Sequence, residues 1–281
     1  MVARRVMLVL AAVVVAGGVG AAASSAPRRV TAKPSPASKL KLLQLNVREG
    51  ATGGRGASVA AVIKASGADV VTLEEVTVKS IFQQIAVDVG FHGYYVPGVG
   101  GWSVGILSRF PLRRCFGYSQ APLQRAAYGC RIPIAGTSWW VFGAHLGSGS
   151  DEIARSKEAA FLLTQMNQHK TGPVMLAGDL NSQTPGENDK TPLIVIPMLK
   201  NAGYIDSFRE VHPSVQQDPG LTITAPPYGT WERRIDYVFH NPKARATSAR
   251  VISSVQGFTW PSDHAALAVT LINRPSPPTS R

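Results

Sequence analysis

Acidic side chains are in short supply: 17 Asp and Glu stand against 29 Lys and Arg in 281 residues, leaving a formal net charge of +12. That deficit marks the chain as a partner for anions, whether nucleic acid, anionic lipid or a phosphorylated small molecule, since all three feel the same field. Cysteine is nearly absent, with Cys115 and Cys130 alone. Neither sits in a Cys-x-x-Cys spacing or beside a histidine in sequence, which excludes a zinc ribbon and argues against a catalytic thiol. Aromatic residues make up 7% and charged residues 16%, while 44% are hydrophobic. This composition excludes a disordered polycation and suits one packed globular domain. Past the N-terminus no stretch approaches the roughly 20 apolar residues that a membrane span needs. No repeat recurs at a fixed period.

The two ends differ from the middle. Met1 to Arg5 carries two arginines, Val6 to Val15 is almost wholly apolar, and the small residues that follow end in Ala21-Ala22-Ala23. This is the pattern of a secretory signal peptide over residues 1–23, and its removal would lower the net charge from +12 to +10. The expected localisation is therefore extracellular, with no stable membrane span in the mature form. Residues 24–39, rich in Pro, Ala, Ser and basic side chains, read as a flexible linker. The folded domain is expected over 40–273, and the proline-rich residues 274–281 as a frayed tail. In an oxidising compartment the two cysteines can pair, closing a loop worth roughly 3 kcal/mol in the chain-entropy model.

Apolar runs alternate with helix-like segments along the domain. Strands are expected at Leu40–Leu45, Val70–Leu73, Ser103–Leu107, Arg131–Ile134, Trp139–Ala144, Val174–Ala177, Ile235–Phe239, Ala249–Val255 and Ala265–Ile272. Helices are expected at Ala57–Ala65, Val78–Val89, Asp151–His169 and Pro192–Ala202, while Tyr94–Gly101 reads as turn-rich. Strands separated by helices suit one packed sheet and those joined by short loops suit antiparallel pairing. The expected class is mixed α/β, with two sheets covered by outer helices.

Polar residues fall at particular places relative to these runs. Asn46, Glu74-Glu75, His145 and Asp179-Leu180-Asn181 each follow the C-terminal end of an apolar run. Asp236 and Asp263-His264 stand at the start of theirs, which returns them to the same rim if those strands run antiparallel to the others. One Asn or Asp at a strand end is ordinary turn chemistry, but six segments carrying only carboxylate, carboxamide and imidazole describe a site. Oxygen donors suit a hard cation, Mg²⁺ or alternatively Mn²⁺, bound together with substrate phosphate. A phosphate ester is then the expected substrate: an Asp activates water, an imidazolium stabilises the transition state or protonates the leaving oxygen, and Asp236 orients the imidazole.

These segments carry a resemblance. Leu45-Asn46-Val47, Leu73-Glu74-Glu75-Val76, Ser103 to Pro111, Ala144-His145-Leu146, Gly178 to Ser182, Arg234 to Phe239 and Ser262-Asp263-His264 resemble, in order, the motifs of the endonuclease/exonuclease/phosphatase superfamily of Mg²⁺-dependent phosphoesterases. The resemblance implies a four-layer sandwich of two mixed, largely antiparallel sheets with outer helices and the site at one rim. It implies metal ligation by Glu75, with Asn46 beside it and Asp263 assisting. Asp179 would orient water, Asn181 would contact phosphate, and His145 and His264, the latter held by Asp236, would flank the scissile phosphate. Arg125 falls where many relatives carry a phosphate-contacting Arg. Three residues depart from the usual pattern: Ala144 for Thr, Glu74 for Gln, and Leu180 for Phe. Arg48 stands where some nuclease relatives carry Asp, which removes a second metal-linked carboxylate.

The expected function is a secreted, metal-dependent phosphodiesterase, a monomer acting on nucleic acid. Alternatives are a sphingomyelinase-like phospholipid phosphodiesterase, a small-molecule phosphatase and, from another class, a silent polyanion-binding module. Gly101-Trp102-Ser103-Val104-Gly105 also fits a serine-hydrolase elbow, but its strand-before, helix-after context is missing. His92, His169, His212 and His240 read as surface or capping residues. Among the basic pairs, Arg233-Arg234 lies best placed to meet a substrate phosphate, and Trp102 could line the cleft.

Overall fold

The computed structural model describes residues 38–184, 193–225 and 229–274. The expected signal peptide, nearly all of the expected linker and the residues beyond 274 lie outside the described residues. In chain order the elements are β1 (Lys39–Asn46), α1 (Arg55–Ser66), β2 (Val70–Glu74), α2 (Lys79–Val89), β3 (His92–Val96), β4 (Val104–Ser108) and β5 (Arg113–Tyr118). There follow β6 (Ala126–Ile134), β7 (Thr137–His145), α3 (Glu152–Asn167), β8 (Val174–Asp179), α4 (Val195–Asn201), β9 (Ile205–Asp206) and α5 (Ser207–Val211). The last are β10 (Ile223–Ala225), β11 (Thr230–Arg233), β12 (Asp236–His240), β13 (Ala244–Ile252) and β14 (Ala266–Asn273).

Two six-stranded sheets result, ordered β13-β14-β1-β2-β4-β3 and β5-β6-β7-β8-β12-β9, with β10 and β11 as a separate hairpin. In each sheet one central pair is parallel, β1 with β2 and β7 with β8, and its neighbours are antiparallel. A parallel pair requires a crossover, supplied by α1 in the first sheet and α3 in the second. Asp151 begins α3 by accepting from Ala154 N at 2.8 Å, and the left-handed Gly67 and Gly90 end α1 and α2.

Strand alternation sorts side chains into layers. Leu42, Val70, Val104, Ile106, Val141, Met175, Val238 and Leu267 fill the space between the sheets. Leu43, Leu45, Val71 and Leu73 face α1 and α2 on one outside, and Phe142, Leu176, Tyr237 and Phe239 face α3 and α4 on the other. This is the four-layer sandwich with largely antiparallel sheets. The middle layer changes character toward one end: along β1 Leu40 and Leu42 give way to Gln44 and Asn46, along β2 Val70 to Thr72 and Glu74, and along β8 Met175 and Ala177 to Asp179. All remain buried. A hydrocarbon core thus becomes a polar rim within a few residues, and that rim is where the segments converge.

Gly178 is fixed by this packing. Its φ is +155°, and a Cβ there would stand 1.9 Å from the Ala144 carbonyl oxygen on the parallel neighbour. Only glycine lets β8 approach β7 closely enough to set Asp179 opposite His145.

Some sequence expectations need correction. Tyr94–Val96, expected in a turn, belongs to β3, which is held by antiparallel pairing to β4. The strand expected at Ala249–Val255 starts at Ala244 and stops at Ile252. Edge strand β5, α5 and the short β9–β11 were not anticipated; their exposed or few residues carry little periodicity. Cys115 on β5 and Cys130 on β6 are disulfide-bonded.

Candidate active site

The rim is built from strand ends. β1 ends on Asn46 and β2 on Glu74, with Glu75 turning out of the strand at φ +59°. From the second sheet β7 ends on His145, β8 on Asp179, and β12 begins on Asp236, directly across from Asp179. His264 precedes β14, whose antiparallel pairing with β1 returns it to the same end.

The side chains meet. Asn46 Nδ2 donates to Glu75 Oε1 and to Asp179 Oδ2, each at 3.1 Å, which links the two sheets. Asn46 Oδ1 accepts from Arg48 N at 2.9 Å, and Glu75 Oε2 from Glu49 N at 3.0 Å. Asp179 Oδ1 accepts from Asn181 N at 2.9 Å, while Asn181 Nδ2 donates to Leu146 O at 3.0 Å. His264 Nδ1 is 2.8 Å from Asp236 Oδ2, and its Nε2 is 3.9 Å from Asp179 Oδ2. His145 Nε2 stands 3.3 Å from the same Asp179 oxygen.

Arg125 closes one side. Its Nη1 contacts both ring nitrogens of His145 and lies 3.8 Å from Glu75 Oε1, and Nη2 donates to Ser148 Oγ at 2.9 Å. The guanidinium stacks on Trp102, 4.6 Å from the ring centroid. Asp263 sits at the margin. Its Oδ2 is 3.9 Å from Arg48 Nε, and the adjacent Ser262 hydroxyl donates to Asn46 O at 2.6 Å.

Charge follows from these contacts. Burial and the neighbouring Asp236 push Asp179 up to about 7, against the opposing pull of His264. Burial disfavours a charged His264 ring, yet Asp236 and Asp179 carry it up to about 10. His145 goes the other way, well below the ordinary range, through burial and the charges of Arg125 and His264. The site therefore holds one imidazolium and one neutral imidazole on either side of Asp179. Divergent environments of this kind separate acid from base roles.

The oxygen chemistry fits a hard divalent cation. Glu75 presents a partly buried carboxylate at the rim, with the fully buried Asn46 beside it. Below them Asp179, Asp236 and His264 bring ligand atoms within 4.8 Å of one another, the cluster of metal-ligating type among the described residues. Two carboxylates buried that close require a compensating positive charge, which a cation or a proton supplies. Asp263 stays outside the cluster.

Glu158 of α3 supports the wall from behind, where both its oxygens accept from Gly147 N, at 3.3 and 3.2 Å. Burial pushes its carboxyl up to about 7 from 4.5, although bonds from Gly147 and Gln124 pull it back. A folded state that retains a proton the unfolded chain has lost is most favoured below pH 4.5, and the advantage drains away until pH 7. In Glu158→Gln this contribution is absent. Comparing thermal midpoints of the two proteins from pH 4.5 to 8 should show the wild type losing up to about 3 kcal/mol relative to the variant, flat above pH 7. Identical pH dependence of both proteins excludes the effect.

Other expectations meet a different outcome. Arg234, expected to face substrate, is buried, with Nη2 2.7 Å from Asp206 Oδ2, and cannot reach an external phosphate. His240, expected at the surface, is fully buried beside Glu210, at 2.8 Å. The serine-hydrolase elbow, already set aside on its sequence context, is not formed: Ser103 leads into β4 with no helix following, and its hydroxyl is engaged by Tyr95 and Gly98. One residue of the site escaped the sequence reading: Gln44, which donates to Asp236. Arg125 and Trp102 were singled out separately, but their stack forms only in three dimensions. The one available signal for Gln44 was its place on the inward face after Leu40 and Leu42.

A sequence model of the endonuclease/exonuclease/phosphatase family matches residues 43–264. Among solved structures, an endonuclease/exonuclease/phosphatase from Beutenbergia cavernae superposes with TM-score 0.65 at 20% identity, over 84% of this chain and 72% of that one. The human nocturnin catalytic domain with bound sulfate gives 0.65 at 18%, over 83% and 93%. TDP2 from D. rerio, complexed with single-strand DNA product, gives 0.65 at 17%, over 83% and 99%. No curated protein matches the chain.

Proposed function

The chain belongs to the endonuclease/exonuclease/phosphatase family, and on that premise we propose that it is a secreted phosphodiesterase that hydrolyses nucleic acid with the help of Mg²⁺ or Mn²⁺. One observation carries the reading: both sheets deliver their polar ends to one place, so that Asn46 joins Glu75 to Asp179, which in turn faces the Asp236–His264 pair. Phosphodiester hydrolysis needs an anion sink, a water-orienting base and a group that protonates the departing oxygen. These residues are one of each. The family resemblance to proteins solved with sulfate and with single-strand DNA product, and the net charge of +12, favour a phosphate polyanion as substrate.

Glu75 and Asn46 would hold a divalent cation, which would supply neutralisation of phosphoryl charge. The protein's own side chains do the rest. Asp179 orients water and accepts its proton, with Oδ1 steadied by Asn181 N. His264, kept charged by Asp236, offers Nε2–H to the phosphoryl or leaving oxygen. The buried Arg125 adds positive charge beside the neutral His145, and Asn181 stands at the rim to meet a phosphate oxygen. Arg48 brings a cation where a second metal-linked carboxylate is lacking. The N-terminal apolar segment supports export, and a monomer suffices because one chain supplies every residue of the site.

Protein lacking residues 1–23 is expected to cleave plasmid DNA or RNA with Mg²⁺ in preference to sphingomyelin or inositol phosphates, and to stop when a chelator removes the metal. Turnover of the lipid alone moves the assignment to a phospholipid phosphodiesterase. DNA bound but never cut, with any divalent metal, makes the chain a polyanion-binding module instead.

A further inference from the structure

Gln44 lies on β1 two residues before Asn46, within the layer between the sheets, with no exposed surface. Its Nε2 carries two hydrogens, and the structure provides two acceptors: Asp236 Oδ1 at 2.7 Å and Glu74 Oε2 at 2.8 Å. The second oxygen of Asp236 receives His264 Nδ1 at 2.8 Å. Asp236 is thereby gripped at both ends, by the imidazole that precedes β14 and by the amide of β1, two strands of the opposite sheet.

This arrangement has a directional logic. A carboxylate held only by the ring retains rotation about its Cβ–Cγ bond, and the ring turns with it. A donor on the remaining oxygen locks that rotation. The amide is oriented by Asp236, whose oxygen not engaged by His264 takes a donor, so the nitrogen rather than the oxygen of Gln44 points toward it. Glu74 belongs to the first sheet and is fully buried, so it serves as the fixed end from which Gln44 reaches across. Glutamine at 44 and glutamate at 74 act as a matched pair.

We propose that Gln44 is a positioning residue, anchored by Glu74, which reaches across the sandwich to hold Asp236 in the one rotation that aims His264 at the scissile phosphate. The inference rests on the phosphodiesterase reading above. Gln44 touches no substrate, so its loss acts on turnover and leaves substrate binding alone.

The full chain carrying Gln44→Leu, which keeps the volume and removes both donors, is compared with the wild type on DNA with Mg²⁺. kcat should fall about 10–100-fold, the range typical of residues that orient a catalytic group, with KM within about twofold of wild type. In ¹H NMR spectra of the substrate-free protein, the low-field His264 Nδ1 proton should broaden or move upfield. Glu74→Leu should lose activity in the same direction, and Glu74→Gln, which retains an acceptor for the amide, should lose less. A folded Gln44→Leu protein with wild-type kcat overturns the proposal, as does an unchanged Nδ1 resonance. If Gln44→Leu does not fold, equal losses in Glu74→Leu and Glu74→Gln overturn it. Failure of the wild type to cut any phosphodiester refutes the functional reading, whereas the resonance comparison judges the positioning role without turnover.

Discussion

Replacing His264 by alanine is expected to lower kcat on a phosphodiester by about 10³-fold, within the 10²–10⁴ that a positioned acid–base group contributes, while the protein stays folded. The side chain is 7% exposed and is charged because Asp236 touches Nδ1 at 2.8 Å; alanine removes the imidazolium and leaves Asp236 without its partner. Asp236→Asn should cost nearly as much, since an amide in that place supports neither the ring's charge nor its Nδ1–H tautomer. As the two act as one unit, the double variant should fall little below either single one. The pH profile supplies a second reading. With His264 losing its proton near 10, the wild type should hold its activity well above neutrality and lose it in the alkaline range, a limb that disappears with the ring. Steady-state kinetics from pH 5 to 11, with circular dichroism as a folding control, tests both statements. An alanine variant with more than a tenth of wild-type kcat removes His264 from the mechanism.

The largest stability effect is expected at Arg234, away from the chemistry. Its side chain is 1% exposed and its Nη2 lies 2.7 Å from Asp206 Oδ2, itself 2% exposed; the guanidinium also stacks on Tyr237, 4.5 Å from the centroid. Asp206 caps α5 through Phe208 N and Arg209 N, so the pair joins edge strand β9, α5 and the start of β12. Arg234→Met leaves a carboxylate buried without its partner, a change that costs about 3–5 kcal/mol and so moves the melting midpoint by on the order of 10 °C in a domain of this size. The companion Arg234→Met/Asp206→Leu should recover part of the loss, because no uncompensated charge remains. Denaturant titration of wild type, both single variants and the double variant closes the cycle. A single-variant loss below about 1 kcal/mol assigns the pair no structural weight.

The two positions show what was legible in the chain. His264 was readable because Ser262-Asp263-His264 precedes an apolar run, and apolar periodicity reveals strand ends even when pairing is unknown. The same logic found Asn46, Glu75, His145, Asp179 and Asp236, and hence most of the rim. Arg234 was misread since its neighbours Arg233 and Asp236 are polar and nothing local says that it turns inward. Its partner Asp206 comes from a two-residue strand that leaves no periodic trace. Gln44 escaped for a related reason: a single polar residue inside Leu42 to Leu45 looks like noise until the opposite sheet supplies Asp236 as its acceptor. Tyr94 to Val96 runs into Pro97-Gly98 and the glycines at 100 and 101, a composition that suggests a turn, and only hydrogen bonding to β4 makes His92–Val96 a strand. Local pattern thus gave the ends and faces of long elements, whereas cross-sheet partners depend on contacts distant in sequence.

The site straddles a seam. Asn46 and Glu75 ride on one sheet, Asp179 and Asp236 on the other, and hydrocarbon packing between them sets the gap. Slippage of one slab over its fellow by a fraction of an ångström would lengthen every cross-seam bond at once. Turnover is consequently a strain gauge for the interior: a small misfit deep between the slabs dulls the chemistry well before it loosens the fold.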